Sequence, residues 1–228
     1  MKVGIHQPNY LPYIGFFNKV KQSDLFVLLD TAQYVKNDFH NRNRIRVPSG
    51  EMFLTIPIPS KECFRKRICD VPLPKGDWAE KHWKAIVMNY GRALHFREKK
   101  DFFEKLYAAP PENLGELNCG IIMHLLKEFK IATKIVKASE MNLNKELKAT
   151  DLLVALLKQA GATGYISGRG RTGKEHYLEE EKFAQAGIAL EYQEFTHPVY
   201  KQAFPGFVAN MAAIDLLFNE GDAAAELI

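Results

Sequence analysis

His6 and Gln7 open the segment "IHQPNYLPYIGFF", in which Pro8 and Pro12 stiffen the backbone and Asn9 and Tyr10 place polar groups between them. A histidine held on such a loop can take or deliver a proton near neutral pH. Asp30 closes the next apolar stretch, "DLFVLLD". A carboxylate near an imidazole orients it or stabilises its charged form. Downstream, "TAQYVKNDFHNRNRIRVPSG" concentrates Asn37, Asn41, Arg42, Asn43, Arg44 and Arg46 around Tyr34 and Phe39. Guanidinium forks suit carboxylates and phosphates, and side-chain amides suit sugar hydroxyls and peptide-like groups. The chemistry on offer is proton transfer beside an anion-binding segment. The plainer readings are a His6 ring bonded to a neighbouring carbonyl, a Tyr10 that caps the core, and a solvated basic loop.

A third stretch, "SGRGRTGKEH" (Ser167–His176), overlays two glycine-loop patterns. Gly168, Gly170 and Gly173 have dinucleotide-loop spacing, and Gly168, Gly173 and Lys174 have that of a triphosphate loop. Glu175 stands where the triphosphate loop needs a magnesium-binding hydroxyl, and its carboxylate repels phosphate. The reading retained is an anion-binding turn built from backbone amides, Arg169, Arg171 and Lys174.

These residues need a scaffold. "KVGIH" and "DLFVLLD" read as strands joined by a loop and a helix that Pro12 opens, which begins a parallel α/β sheet. If the two strands are parallel neighbours, His6 and Asp30 emerge at the same edge, where α/β proteins bind ligands. "EMFLTIPI" and "KRICDV" read as antiparallel or edge strands. Residues 77–130 are expected to be mainly helical, from the spacing of Trp78, His82, Ile86 and Tyr90 and of Leu114, Leu117, Ile121 and Leu125. "IATKIVKASE" restores a strand, and Thr150 caps a helix running to about Ala160. "GYIS" and "IALEYQEF" are late strands around another helix, and a last helix stops at Gly221. The expectation is one α/β domain over 1–228, mainly a parallel Rossmann-like sheet with short edge strands and a helical middle.

The 228 residues carry a net charge of +4, too mild for a nucleic-acid binder but suited to an anionic small substrate. Cys63, Cys69 and Cys119 lack metal-ligand spacing and, without a secretory signal, read as reduced thiols of a cytoplasmic protein. No apolar run approaches the roughly 20 residues of a membrane helix.

The blocks "VGIHQPNYLPYIGFFNKVKQSDLFVLLD", "QYVKNDFHNRNRI", "YISG" with Tyr177–Leu178, "HPVYKQ" and "IDLLFNEG" resemble the WbqC-like family of bacterial proteins, in family order from first strand to last helix. The family's late turn has a Ser-Gly pair, so the resemblance gives Gly168 to that turn rather than to a triphosphate loop. It implies an accessory enzyme of O-antigen, capsule or other glycoconjugate synthesis, with amino-acid decoration of amino sugars as one role. The polar residues of the matching blocks follow as site candidates: Gln7, Asn9, Tyr10, Gln33, Tyr34, Asn37, Asn41, Arg42, Asn43, Arg44, Ser167, Gly168 and His197. Lys174 joins them from the anion-binding turn.

A second, looser likeness is to nucleotidyltransferase-like α/β folds that include amide-forming synthetases. Pro8, Pro12 and Gly15 fall in similar order, but Tyr13 and Phe16 occupy the histidine positions that serve ATP. The leading expectation is acyl or aminoacyl transfer to the amine of a nucleotide-linked amino sugar, with His6 and Asp30 as the acid–base pair. An ATP- and magnesium-dependent ligase and a non-catalytic nucleotide-sugar-binding module are the alternatives. No metal ligands and no other cofactor are assigned.

Overall fold

The computed structural model describes residues 1–144, 146–168 and 178–228. The elements begin β1 (Lys2–His6), α1 (Ile14–Lys21), β2 (Leu25–Leu28), β3 (Arg42–Val47), β4 (Gly50–Thr55) and α2 (Ser60–Cys63). Four helices follow, α3 (Trp78–Tyr90), α4 (Phe96–Lys99), α5 (Asp101–Ala108) and α6 (Leu114–Glu128). The chain ends with β5 (Lys134–Lys137), α7 (Ala149–Gln159), β6 (Gly164–Ser167), α8 (Glu180–Gln185), β7 (Ala189–Tyr192) and α9 (Ile214–Glu220). They fall into two compact units: residues 1–7, 18–30 and 132–196, and residues 8–17, 31–131 and 197–228.

The first unit holds a five-stranded parallel sheet in the order β5-β2-β1-β6-β7. The architecture is therefore α/β with a Rossmann-like sheet, as the alternation of apolar runs and helical segments predicts. From β1 the chain adds β2 and β5 on one side, then β6 and β7 on the other, so the order reverses between β1 and β6. Val3, Gly4 and Ile5 are all buried, the pattern of a strand covered on both faces. Val3, Ile5, Val27, Leu156, Leu157, Tyr165, Phe183 and Ile188 form the apolar core of this unit.

Gly4 is required by its neighbours. A Cβ there would lie 2.5 Å from Ser23 Oγ and 2.6 Å from Phe26 Cδ2. Gly4→Ala is expected to cost about 1–3 kcal/mol through overpacking of the central strand, read as a lower urea midpoint at unchanged slope.

In the second unit β3 and β4 form an antiparallel hairpin, with Val47 opposite Gly50 and Arg42 opposite Thr55. Helices α3 to α6 fill residues 78–128, as their spacing predicts. Asn113 caps α6 by accepting from the Glu116 N–H at 2.8 Å. Phe218 of α9 is fully buried, with the rings of Tyr90, Phe96 and Phe103 at 5.0–5.7 Å. Gly221, at φ +57°, ends α9 as predicted, and its backbone N–H bonds back to Leu217.

Four expectations are corrected. Arg42–Val47 is a strand, not part of a loop: Asn43, Ile45 and Val47 alternate with the arginines, a period of two. Residues 66–71 make a 3-10 turn at Ile68–Asp70 and a single bridge from Arg67 to Gln33 rather than a strand. Pro12 precedes α1 by two residues, and its carbonyl accepts from the Ala213 N–H at 2.8 Å. Thr150 lies inside α7, whose cap is Lys148, and its hydroxyl accepts from the Glu179 N–H at 3.2 Å. The three cysteines are free thiols, as expected. Among the described residues no helix is long and apolar enough to cross a membrane.

Candidate functional site

The reversal of strand order defines the place to look in the first unit. Neighbouring parallel strands splay apart beyond their carboxyl ends at such a point, and ligands bind in the resulting crevice. His6 ends β1 and Gln7 follows it, and Ser167 ends β6 and Gly168 follows it, on the two sides of that reversal. His6 and Gln7 are half-buried and Ser167 is buried, its hydroxyl directed to the Gly168 carbonyl at 3.5 Å. His6 Nδ1 lies 2.8 Å from the Gln7 carbonyl. A carbonyl only accepts, so Nδ1 carries the proton, and in the neutral ring Nε2 is the basic nitrogen.

Asp30 comes out at the same carboxyl edge as His6. β2 is the parallel neighbour of β1, His6 is opposite Leu28, and Asp30 is two residues farther on. Its carboxylate is buried and fixed by Ser139, whose N–H and hydroxyl donate to its two oxygens at 2.9 and 2.5 Å. Nearby in this unit, the Gln193 N–H bonds to the Ser167 carbonyl at 2.7 Å, and its side-chain amide bonds to Asn18 at 2.8 Å. A shallow depression elsewhere on the unit, lined by Glu180, Glu181, Ala184, Gly187, Ile188 and Leu190, contains none of these groups. Arg169, Arg171 and Lys174 of the anion-binding turn lie outside the described residues.

The other candidates belong to the second unit, where several are structural. Tyr10 is fully buried, its hydroxyl shared between His82 Nδ1 at 2.8 Å and the Tyr107 hydroxyl. Asn43 is buried and holds the Tyr10 and Leu11 carbonyls at 3.2 and 2.6 Å. Asn41, also buried, donates to the Ile56 carbonyl at 2.8 Å. The hydrogen bonds described for Tyr10, Asn41 and Asn43 thus go to the protein's own groups. Tyr34 is buried too, and burial, with the nearby Cys63, pushes its phenol up to about 12.

Arg44 donates to both oxygens of Glu51 at 3.1 and 2.9 Å and to the Asn210 carbonyl at 3.3 Å. That pairing sets a carboxylate against the Arg44 charge. Arg42 stacks on the Phe53 ring at 4.7 Å. Asn9 is half-buried, while Gln33 and Asn37 are exposed. His197 bonds through Nδ1 to the Pro198 carbonyl at 2.8 Å and accepts the Asn210 N–H at Nε2, 3.1 Å away. Arg44 and His197, far apart in sequence, thus meet the two backbone groups of one residue.

Sequence reasoning missed a buried polar network around Asp215, which is fully buried in α9. Tyr200 and Gln202 donate to its Oδ2 at 2.7 and 2.9 Å. Arg46 Nε reaches Gln202 at 3.3 Å, and its other nitrogens hold the carbonyls of Val47, Gly50 and Pro205. Burial pushes the Asp215 carboxyl up against the opposing effect of these donors. Asn118, fully buried in α6, donates to the Pro8 and His40 carbonyls at 2.9 and 2.8 Å. The available signal was a polar letter, Asp215 or Asn118, set among the buried apolar positions of its helix.

His82 was expected only as one position of the helical stripe, and it has a measurable consequence. Burial pushes its imidazole down to about 4 from 6.5, against a bond to the Thr55 backbone that raises it. The folded state therefore holds a neutral ring that gains a proton more readily when unfolded. Its stabilisation is complete above pH 6.5 and is lost as the pH falls toward 4. His82→Gln is expected to flatten the acid loss of stability across that window by on the order of 2–3 kcal/mol, measured by urea titration at successive pH values. An unchanged slope would refute the assignment.

Among the described residues no group of three or more His, Cys, Asp or Glu side chains is placed to hold a metal ion. A sequence model of the WbqC-like protein family matches residues 7–227. The chain is similar to the uncharacterised protein Rv1507c of Mycobacterium tuberculosis, with 32% identity over 229 residues, covering 100% of this chain and 97% of that protein. No solved structure matches. With nearly its whole length matched, the chain belongs to the WbqC-like protein family.

Proposed function

We propose that this protein transfers an acyl or aminoacyl group to the amine of a nucleotide-linked amino sugar, as an accessory enzyme of O-antigen- or capsule-type glycoconjugate synthesis. One observation carries the reading: a histidine ends the central strand of a parallel sheet at the point where strand order reverses. That is the position at which such sheets bind nucleotides. The glycoconjugate setting is what the family resemblance suggests.

The neutral amine attacks the acyl carbonyl carbon and the new C–N bond forms. The bond from the acyl carbon to the donor's leaving group breaks, and the leaving group departs with the electron pair. His6 Nε2 accepts the proton that the nitrogen must lose. Asp30, held by Ser139 at the same edge, supplies a fixed negative charge that favours the imidazolium. Gln7, Ser167 and Gly168 offer the polar groups for sugar and acyl oxygens.

The test is incubation with nucleotide-linked amino sugars and a panel of acyl-thioester and aminoacyl donors, followed by mass spectrometry. A product heavier by the acyl group supports the proposal. Substrate-dependent pyrophosphate release from ATP would replace it with the ligase reading. Tight nucleotide-sugar binding with no chemical change across the panel would make the protein a binding module.

A further inference from the structure

The turn that follows α2, in the second unit, carries exposed side chains that serve none of the roles above. Cys63 is buried at its start and Ile68 beyond its end. Backbone bonds fix the path between them. The Lys66 N–H donates to the Cys63 carbonyl at 3.1 Å, and the Tyr34 N–H donates to the Lys66 carbonyl at 2.8 Å. From this anchored turn Phe64 stands 68% exposed. A phenylalanine held in water forgoes the burial that its ring normally gains.

The adjoining segment adds to the patch. Gln33 bridges Arg67, and the Ile68 N–H bonds to the Ala32 carbonyl at 2.9 Å, an antiparallel register that sets Val35 beside Arg65. Val35 is itself 47% exposed. Lys36, Lys61 and Arg65 are exposed around these two apolar side chains. Among the described residues none of the three cations forms an ion pair. Lys66 adds a fourth, half-buried cation. Glu62 offsets one of them, and Arg67 is paired with Asp70 at 2.6 Å.

Two exposed apolar groups ringed by cations suit a surface that is anionic outside and apolar just beneath. The Arg65 guanidinium lies over the Phe64 ring, 5.2 Å from its centre. It occupies a ring face that a stacked nucleobase would need. A protruding ring among flexible cations also asks no shape match of its partner, as a fluid layer of headgroups requires. We propose that this turn docks on an anionic lipid bilayer: Phe64 and Val35 enter the boundary between headgroups and acyl chains, and Lys36, Lys61, Arg65 and Lys66 meet lipid phosphates.

The experiment is co-sedimentation with vesicles of phosphatidylcholine alone and of equal parts phosphatidylcholine and phosphatidylglycerol, with circular dichroism confirming each fold. Wild type sediments with the anionic vesicles, and added salt weakens the binding. Phe64→Ser lowers the partition coefficient about tenfold. Lys61→Gln and Arg65→Gln each lower it about fivefold. Met88→Ser, which removes an apolar side chain 82% exposed on α3, leaves it unchanged. Equal binding to neutral vesicles, no binding to anionic ones, or wild-type partition by folded Phe64→Ser each overturns the proposal. So does single-stranded DNA binding that Phe64→Ser abolishes in a protein that ignores vesicles. Should Phe64→Ser fail to fold, Phe64→Trp decides. Bromine-labelled lipid quenches its added fluorescence beyond that of Trp78 and Trp83 in wild type, and absence of extra quenching overturns the docking.

Discussion

His6→Ala is expected to slow acyl transfer by about 10²–10⁴-fold, the usual cost of deleting a proton-transfer group. The carbonyl of Gln7 fixes the proton on Nδ1, which makes Nε2 the base. Truncation removes that base and keeps the strand, since the backbone bond from Leu29 to the His6 carbonyl does not involve the ring. The fall is expected in kcat, with KM for the nucleotide sugar nearly constant and an unchanged unfolding midpoint. Added imidazole should restore part of the rate, which a merely structural histidine would not show. Near-normal turnover by His6→Ala would remove the mechanism.

The second large effect is on stability. Asp215→Ala is expected to cost about 3–5 kcal/mol. The substitution leaves the Tyr200 hydroxyl and a Gln202 amide N–H facing an apolar methyl inside the second unit. It also loosens Gln202, which receives the Val208 N–H at 2.8 Å and anchors Arg46. Asp215→Asn keeps the volume and one acceptor, so its cost is smaller. Urea unfolding checks both, with a lower midpoint and an unchanged slope. A loss below about 1 kcal/mol for Asp215→Ala would show that the network contributes little.

His6 and Asp30 were legible because each ends an apolar run, and because consecutive strands in an alternating α/β chain pair in parallel. Arg42 to Arg46 hid a strand in plain view: the alternation was present, but charges on one face drew the reading toward a loop. Tyr10 and the asparagines 41 and 43 looked like ligand contacts by type alone. Their partners are backbone carbonyls and a histidine 72 residues away, which no local pattern discloses.

By itself the sequence determined the strands, the helical middle, the parallel sheet and the histidine at its edge, because hydrophobic periodicity acts over a few neighbouring residues. Only the tertiary structure decided which polar groups face a crevice and which are sealed inside. Lys19, Asn118 and Asp215 each occupy one place in an apolar stretch. Whether such a group becomes a ligand contact or a packing residue depends on acceptors and donors brought from elsewhere in the chain. A buried polar atom takes its role from its hydrogen-bond partners, and folding alone assembles them.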